Sequence, residues 1–123
     1  MWLDVGGLDE VVRKKKFAVT HGEHSIVVVA HGGRVYAMDN ICIHRERELV
    51  RGVILRDRLV CPGHQWAYDL ATGYEAVKER CQPIYDVRVV EGRVGVDLDS
   101  RRTTDTNPSC GGPIGDARSL RNG

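Results

Sequence analysis

Two short segments hold the residues best suited to chemistry. One is Cys42-Ile43-His44; the other, after sixteen intervening residues, is Cys61-Pro62-Gly63-His64. Each offers one thiolate and one imidazole. Soft thiolates suit zinc and iron–sulfur centres, and imidazole suits zinc and iron alike. A single tetrahedral zinc would need both segments to turn all four donors onto one ion. A mixed-ligand [2Fe–2S] cluster would instead take two thiolates on one iron and two imidazoles on the other. Each segment would then straddle both irons, giving its cysteine to one and its histidine to the other. The cluster is the preferred reading, because neither segment has the long helical His spacing of the common zinc finger and the flanking text reads as hairpins.

Those hairpins must supply two stiff loops that face each other. His24 to Ala30 and Arg34 to Met38 read as strands joined at Gly32-Gly33, where both residues can take positive φ at no steric cost. Phe17 to Thr20 reads as a strand before them. Val53 to Leu55 and Arg58 to Val60 form a second hairpin through Arg56-Asp57 and lead into Cys61. Trp66 to Leu70 leaves the second loop, and Thr72-Gly73 turns the chain. Ile84 to Val90 and Arg93 to Leu98 close the pattern through Glu91-Gly92. One short helical turn is expected from Leu8 to Val12, followed by a solvated basic turn at Lys14, Lys15 and Lys16. So many short strands with so little helix predict an all-β sandwich or small barrel.

With 123 residues the chain makes one domain, read as residues 1–98 with an irregular tail over 99–123 rich in Arg, Thr, Pro and Gly. Eighteen Lys and Arg balance 17 Asp and Glu, which gives no concentrated basic surface for nucleic acid or an anionic membrane. The longest strongly apolar run, Ile26 to Ala30, is too short for a bilayer, and residues 1–7 lack the pattern of a signal peptide. A cytoplasmic location is therefore expected. Cys81 and Cys110 have no histidine near them and read as a partly buried thiol and a tail thiol without assigned chemistry. Asp39, Asp57 and Asp69 read as turn or loop-end residues. No nucleophile motif, dinucleotide fingerprint or helical carboxylate pair suggests an enzyme.

The chain resembles the Rieske-type [2Fe–2S] ferredoxins and related small Rieske proteins. The resemblance rests on Cys42-Ile43-His44, Leu49, Gly52, Cys61-Pro62-Gly63-His64, Trp66, Tyr68-Asp69-Leu70, Thr72-Gly73 and Pro83, and spans roughly Val5 to Leu98. It implies a small β-sandwich or barrel with a cluster-binding subdomain of two hairpin loops. It also implies one [2Fe–2S] cluster, with Cys42 and Cys61 on the inner iron and His44 and His64 on the outer. Rieske proteins of the cytochrome complexes carry an extra cysteine in each loop; here Arg47 and Gly63 stand there, so that bridge is excluded. They also place a serine where this chain has Trp66. Without those features the resemblance points to the low-potential ferredoxin-like type. Tyr68 either donates its hydroxyl to the Cys42 sulfur or is simply core. The run Arg45-Glu46-Arg47-Glu48 and the residue Gln65 depart from the small residues usual at these places and bear on partner choice.

The function implied is a stand-alone electron carrier, not an enzyme. It would take single electrons from a flavin-dependent NAD(P)H reductase and give them to a terminal oxygenase. The alternative is a small Rieske-like subunit of an assimilatory nitrite reductase, serving a larger reductase subunit. A third reading, the isolated cluster domain of an oxygenase, draws on Trp66-Ala67-Tyr68-Asp69. A partner is expected to dock where His44 and His64 reach the surface, within a rim of Ile43, Pro62, Gly63 and Gln65.

Overall fold

The computed structural model describes residues 1–43, 47–62 and 66–110. Eleven strands and one short helix are found there. In chain order they are β1 (Trp2–Gly7), α1 (Leu8–Lys14), β2 (Lys16–His21), β3 (His24–His31), β4 (Arg34–Asp39), β5 (Val53–Leu55), β6 (Arg58–Val60), β7 (Ala67–Asp69), β8 (Tyr74–Glu75), β9 (Arg80–Cys81), β10 (Ile84–Val90) and β11 (Arg93–Arg102). Six strands form one antiparallel sheet in the order β1-β11-β10-β4-β3-β2, which curls into a nearly closed barrel. A three-stranded sheet, β5-β6-β7, flanks the Cys61 loop, and β8-β9 form a small ribbon. The expected all-β fold is found. No helix among the described residues is long and apolar enough to cross a membrane.

The apolar run in β3 explains how the two units are joined. Successive strand residues point to opposite faces, and here both faces are covered. Ile26 and Val28 enter the core inside the large sheet with Val11, Ala37, Tyr85, Val94 and Val96. Val27 and Val29 point the other way, into a second core with Met38, Leu49, Leu59, Tyr68, Leu70 and Ile84. Cys42 and Cys61 belong to that second core. A strand buried on both sides reads as an unbroken hydrophobic stretch instead of an alternating one.

Three hairpin turns have positive φ at both central residues: Gly32-Gly33, Arg56-Asp57 and Glu91-Gly92. That backbone matches the twist of the flanking strands. Asp57 also bonds His31 Nε2 at 2.8 Å, fastening the second hairpin to the first. Asp69 Oδ1 accepts the amides of Ala71 and Thr72, the expected turn role. Asp39 does more than end a strand: it accepts the Tyr85 hydroxyl at 2.6 Å and pairs with Arg101 at 2.7 Å.

Several features differ from the sequence reading. Residues 2–7 form β1, paired with β11 some ninety positions away through Leu3–Val96 and its neighbours. The last strand does not stop at Leu98 but runs to Arg102, held by the Arg101–Asp39 and Arg102–Asp86 pairs. These charged anchors give no apolar period to read. Residues 103–110 return to the body. Asn107 donates to the Thr72 carbonyl at 2.7 Å, and a 3-10 turn at Pro108–Cys110 brings Cys110 to Cys81. Those two residues form a disulfide with Cα atoms 5.7 Å apart, which corrects their reading as separate thiols. The tail residues 111–123 lie outside the described residues.

The bridge closes a loop of 29 residues in sequence separation. In the chain-entropy account such a loop is worth about 3.5 kcal/mol against the unfolded chain. Cys110→Ser is expected to lower unfolding stability by roughly 2–4 kcal/mol, measured by urea titration. Added reductant should shift wild type by the same amount and leave the variant unchanged.

Candidate metal centre

Both cysteine loops are closed by the same backbone device. The Cys42 amide donates to the Arg47 carbonyl at 2.8 Å, and the Cys61 amide donates to the Trp66 carbonyl at 2.8 Å. Each cysteine therefore opens a turn sealed five residues later. Cys42 is 1% exposed and Cys61 is fully buried. His44, with Arg45 and Glu46, and His64, with Gly63 and Gln65, fall inside the two sealed turns but outside the described residues. The structure thus brings the two predicted thiols into one core and is silent on the two predicted imidazoles.

Buried amide side chains set the first loop. The Asn40 backbone carbonyl accepts the Leu49 amide at 2.6 Å, and its side-chain oxygen accepts the Val50 amide at 2.9 Å. Asn40 thereby ties the two feet of the loop together, helped by the bridge between Ile41 and Glu48. Above those feet the surface opens: Ile41 and Ile43 are 40% and 38% exposed, and Arg47 and Glu48 are exposed as well. The cysteine side of the loop is thus dry while its rim faces solvent.

Tyr68 links the loops. It lies on β7, two residues after Trp66, and is fully buried. Its hydroxyl sits 2.8 Å from Cys42 Sγ. Burial first, and then the hydrogen bond and charge at Cys42, push its phenol far above the ordinary tyrosine range. The group stays protonated and is placed to donate to the sulfur once that sulfur is a thiolate. Of the two roles the sequence allowed, the geometry adds the hydrogen bond to the core role.

Gly52 sets the spacing between the loops. A Cβ built there would lie 1.9 Å from the Val60 carbonyl oxygen, directly before Cys61 in the chain. Its φ is −80°, so sterics and not backbone freedom require glycine. Gly52→Ala must push the end of the first loop away from the strand that delivers Cys61. Backbone cannot yield as a flexible side chain does, so a destabilisation of roughly 2–4 kcal/mol is expected. Iron retention should also fall, checked by metal analysis against urea unfolding of the same sample.

The donor chemistry fits a [2Fe–2S] group on the thiol side. Two buried cysteines lie on matched turns in an apolar core, with one fixed hydroxyl donor aimed at sulfur. The remaining cysteines, Cys81 and Cys110, are engaged in their disulfide. Apart from the two loops, residues Asn40, Gly52 and Gln82 shape the site. Of these only Gly52 figured in the sequence reading, because the amide side chains act through long-range backbone contacts.

Comparison with known proteins identifies the family. The profile of the Rieske [2Fe–2S] domain matches residues 1–90. The anthranilate 1,2-dioxygenase ferredoxin subunit of Burkholderia cepacia is 29% identical over 99 residues, covering 79% of this chain and 92% of that protein. The ferredoxin component of the alkene monooxygenase system of Xanthobacter autotrophicus is 30% identical over 95 residues, covering 76% and 78%. Among solved structures, a chain in the complex of reduced oxygenase and oxidized ferredoxin of carbazole 1,9a-dioxygenase superposes with a TM-score of 0.70 at 28% identity, covering 77% of this chain and 91% of that one. The buried thiol loops, the barrel beneath them and these likenesses together place the chain in the Rieske [2Fe–2S] domain family, as an electron-transfer protein of the ferredoxin type.

Proposed function

We propose that this protein carries single electrons through one [2Fe–2S] cluster held by Cys42 and Cys61 on one iron and His44 and His64 on the other. It receives them from a flavin-dependent NAD(P)H reductase and delivers them to a terminal oxygenase. The observation that carries the reading is the pair of buried cysteines on twin sealed turns, with the Tyr68 hydroxyl on one sulfur. The relatives named as ferredoxin components support the oxygenase system as the setting. When bound, the cluster supplies a one-electron store. The chain's own residues keep water from the sulfur side, fix a donor on Cys42 and leave an open rim for a partner.

That rim is small and mixed in character, with exposed Ile41 and Ile43 beside exposed Arg47 and Glu48. A carrier must let go after each electron, so a weak contact steered by rim charges suits the task. Reconstitution with a matching reductase and oxygenase tests the proposal: NAD(P)H oxidation coupled to oxygenase turnover should require this protein. Arg47→Glu should slow electron delivery several-fold at low salt, with the difference shrinking as salt screens the rim. No transfer to any oxygenase, or transfer to a nitrite reductase instead, would overturn the proposed partner.

A further inference from the structure

A buried glutamine stands directly behind the first thiol loop. Gln82 lies between β9 and β10 and is fully buried. Its Nε2 donates to the Asp39 carbonyl at 2.7 Å and to the Ile41 carbonyl at 2.6 Å. Its Oε1 accepts the Ile43 amide at 3.0 Å. Only this orientation of the amide works, since the reverse would set oxygen against two carbonyl oxygens and NH2 against an N–H. The three bonds fall on the residues before and after Cys42, and at 39–43 positions of separation none belongs to the local hairpin.

The glutamine is itself held from behind. Its backbone N–H donates to the Gly73 carbonyl at 2.8 Å. Gly73 has φ +79°, and a Cβ there would meet the Gln82 carbonyl oxygen at 2.3 Å. The Thr72-Gly73 turn therefore lets the two backbones come close enough to seat Gln82. We infer that Gln82 is a positioning residue of the metal centre: its side-chain amide fixes the backbone on both sides of Cys42 and so the direction in which that sulfur points. This rests on the reading of Cys42 as a cluster ligand.

The amide matters for both binding and electron exchange. A loop pinned at three backbone groups cannot turn its sulfur away when the metal charge changes. Losing a group that orients a metal ligand typically costs about 10–100-fold in metal affinity. Asn40 ties the feet of the same loop, whereas the Gln82 side chain bonds the backbone on both sides of the cysteine.

The test uses the intact protein and its Gln82→Met, Gln82→Glu and Gln82→Asn variants. Methionine keeps the length and packing but offers no hydrogen bonds to the loop. A protonated glutamic acid can still donate once and accept once, so it should rescue part of the effect. Cluster loss to an iron chelator should be roughly ten-fold or more faster in Gln82→Met, intermediate in Gln82→Glu, with broadened electron paramagnetic resonance lines in the reduced state. Asn107→Ala is the control: it removes a hydrogen bond to the Thr72 carbonyl behind the same region and should lower the melting temperature without altering the lines. If Gln82→Met does not fold, Gln82→Asn, whose amide is withdrawn by one methylene, should show the same direction of change. Wild-type line shape and loss rate in the folded Gln82 variants would overturn the inference. Iron and sulfide at wild-type levels in the Cys42→Ala protein would instead overturn the ligand reading on which it rests.

Discussion

The Cys61→Ala protein is expected to be colourless, with iron and acid-labile sulfide falling from two of each per chain to none. Cys61 is fully buried and its amide seals the second loop. Its sulfur has no exchangeable substitute, because Cys81 and Cys110 are joined to each other. The reverse experiment separates the cysteines by role. A chain carrying both Cys81→Ser and Cys110→Ser should keep its full iron and sulfide while losing the stability of the bridge. Cys42→Ala should behave as Cys61→Ala does. Metal binding and loop ordering are one process in sites of this kind, so the Cys61 variant should also unfold at lower urea than the wild type stripped of its disulfide. Anaerobic preparation with iron, zinc and sulfide analysis decides the matter. One zinc and no sulfide in the wild type would return the centre to the mononuclear alternative.

How much of this was legible in the sequence depended on the range over which each feature acts. The turns Gly32-Gly33 and Glu91-Gly92 and the two cysteine loops are local, and their residue types announce them. The apolar run Ile26–Val29 read correctly as a strand, but that its alternate residues serve two cores depends on what packs against each face. The strand β1 was missed because Trp2–Gly7 carries a Gly-Gly end and finds its partner only at β11. The Cys81–Cys110 bridge was missed for a related reason: nothing local shows that a polar stretch after Leu98 turns back. Asn40 and Gln82 look like ordinary loop residues in the chain. Their function comes from unpaired backbone groups that appear only when β4, β9 and β10 are brought together. Tyr68 lay between these cases, since the text placed it near the loops but not against a particular sulfur.

Tyr68→Phe is expected to keep the cluster and lower its midpoint potential by roughly 40–80 mV. The phenyl ring retains the packing of a fully buried side chain, so the core stays filled and only one oxygen is lost. That oxygen lies 2.8 Å from Cys42 Sγ and would donate to it when the sulfur is a metal-bound thiolate. A hydrogen bond to a sulfur ligand favours the reduced state, which holds more negative charge, over the oxidised one. Removing it costs the reduced form more, and the potential falls. Hydrogen bonds to charged groups are worth about 1.5–3 kcal/mol; a difference between the two redox states of about 1.4 kcal/mol corresponds to about 59 mV for one electron. The pH dependence adds a second test. Burial and the Cys42 contact hold the Tyr68 phenol above its ordinary range, so it remains protonated from about pH 6 to about pH 10. With His44 and His64 as the proposed outer ligands, their titration should move both proteins alike. The gap between variant and wild type should therefore stay constant across that range, while both potentials fall as pH rises through the oxidised-state histidine range. Protein-film voltammetry measures both quantities. An unchanged or raised potential in Tyr68→Phe would show that the hydroxyl does not donate to the sulfur, and a gap that closes at alkaline pH would show that the phenol ionises there.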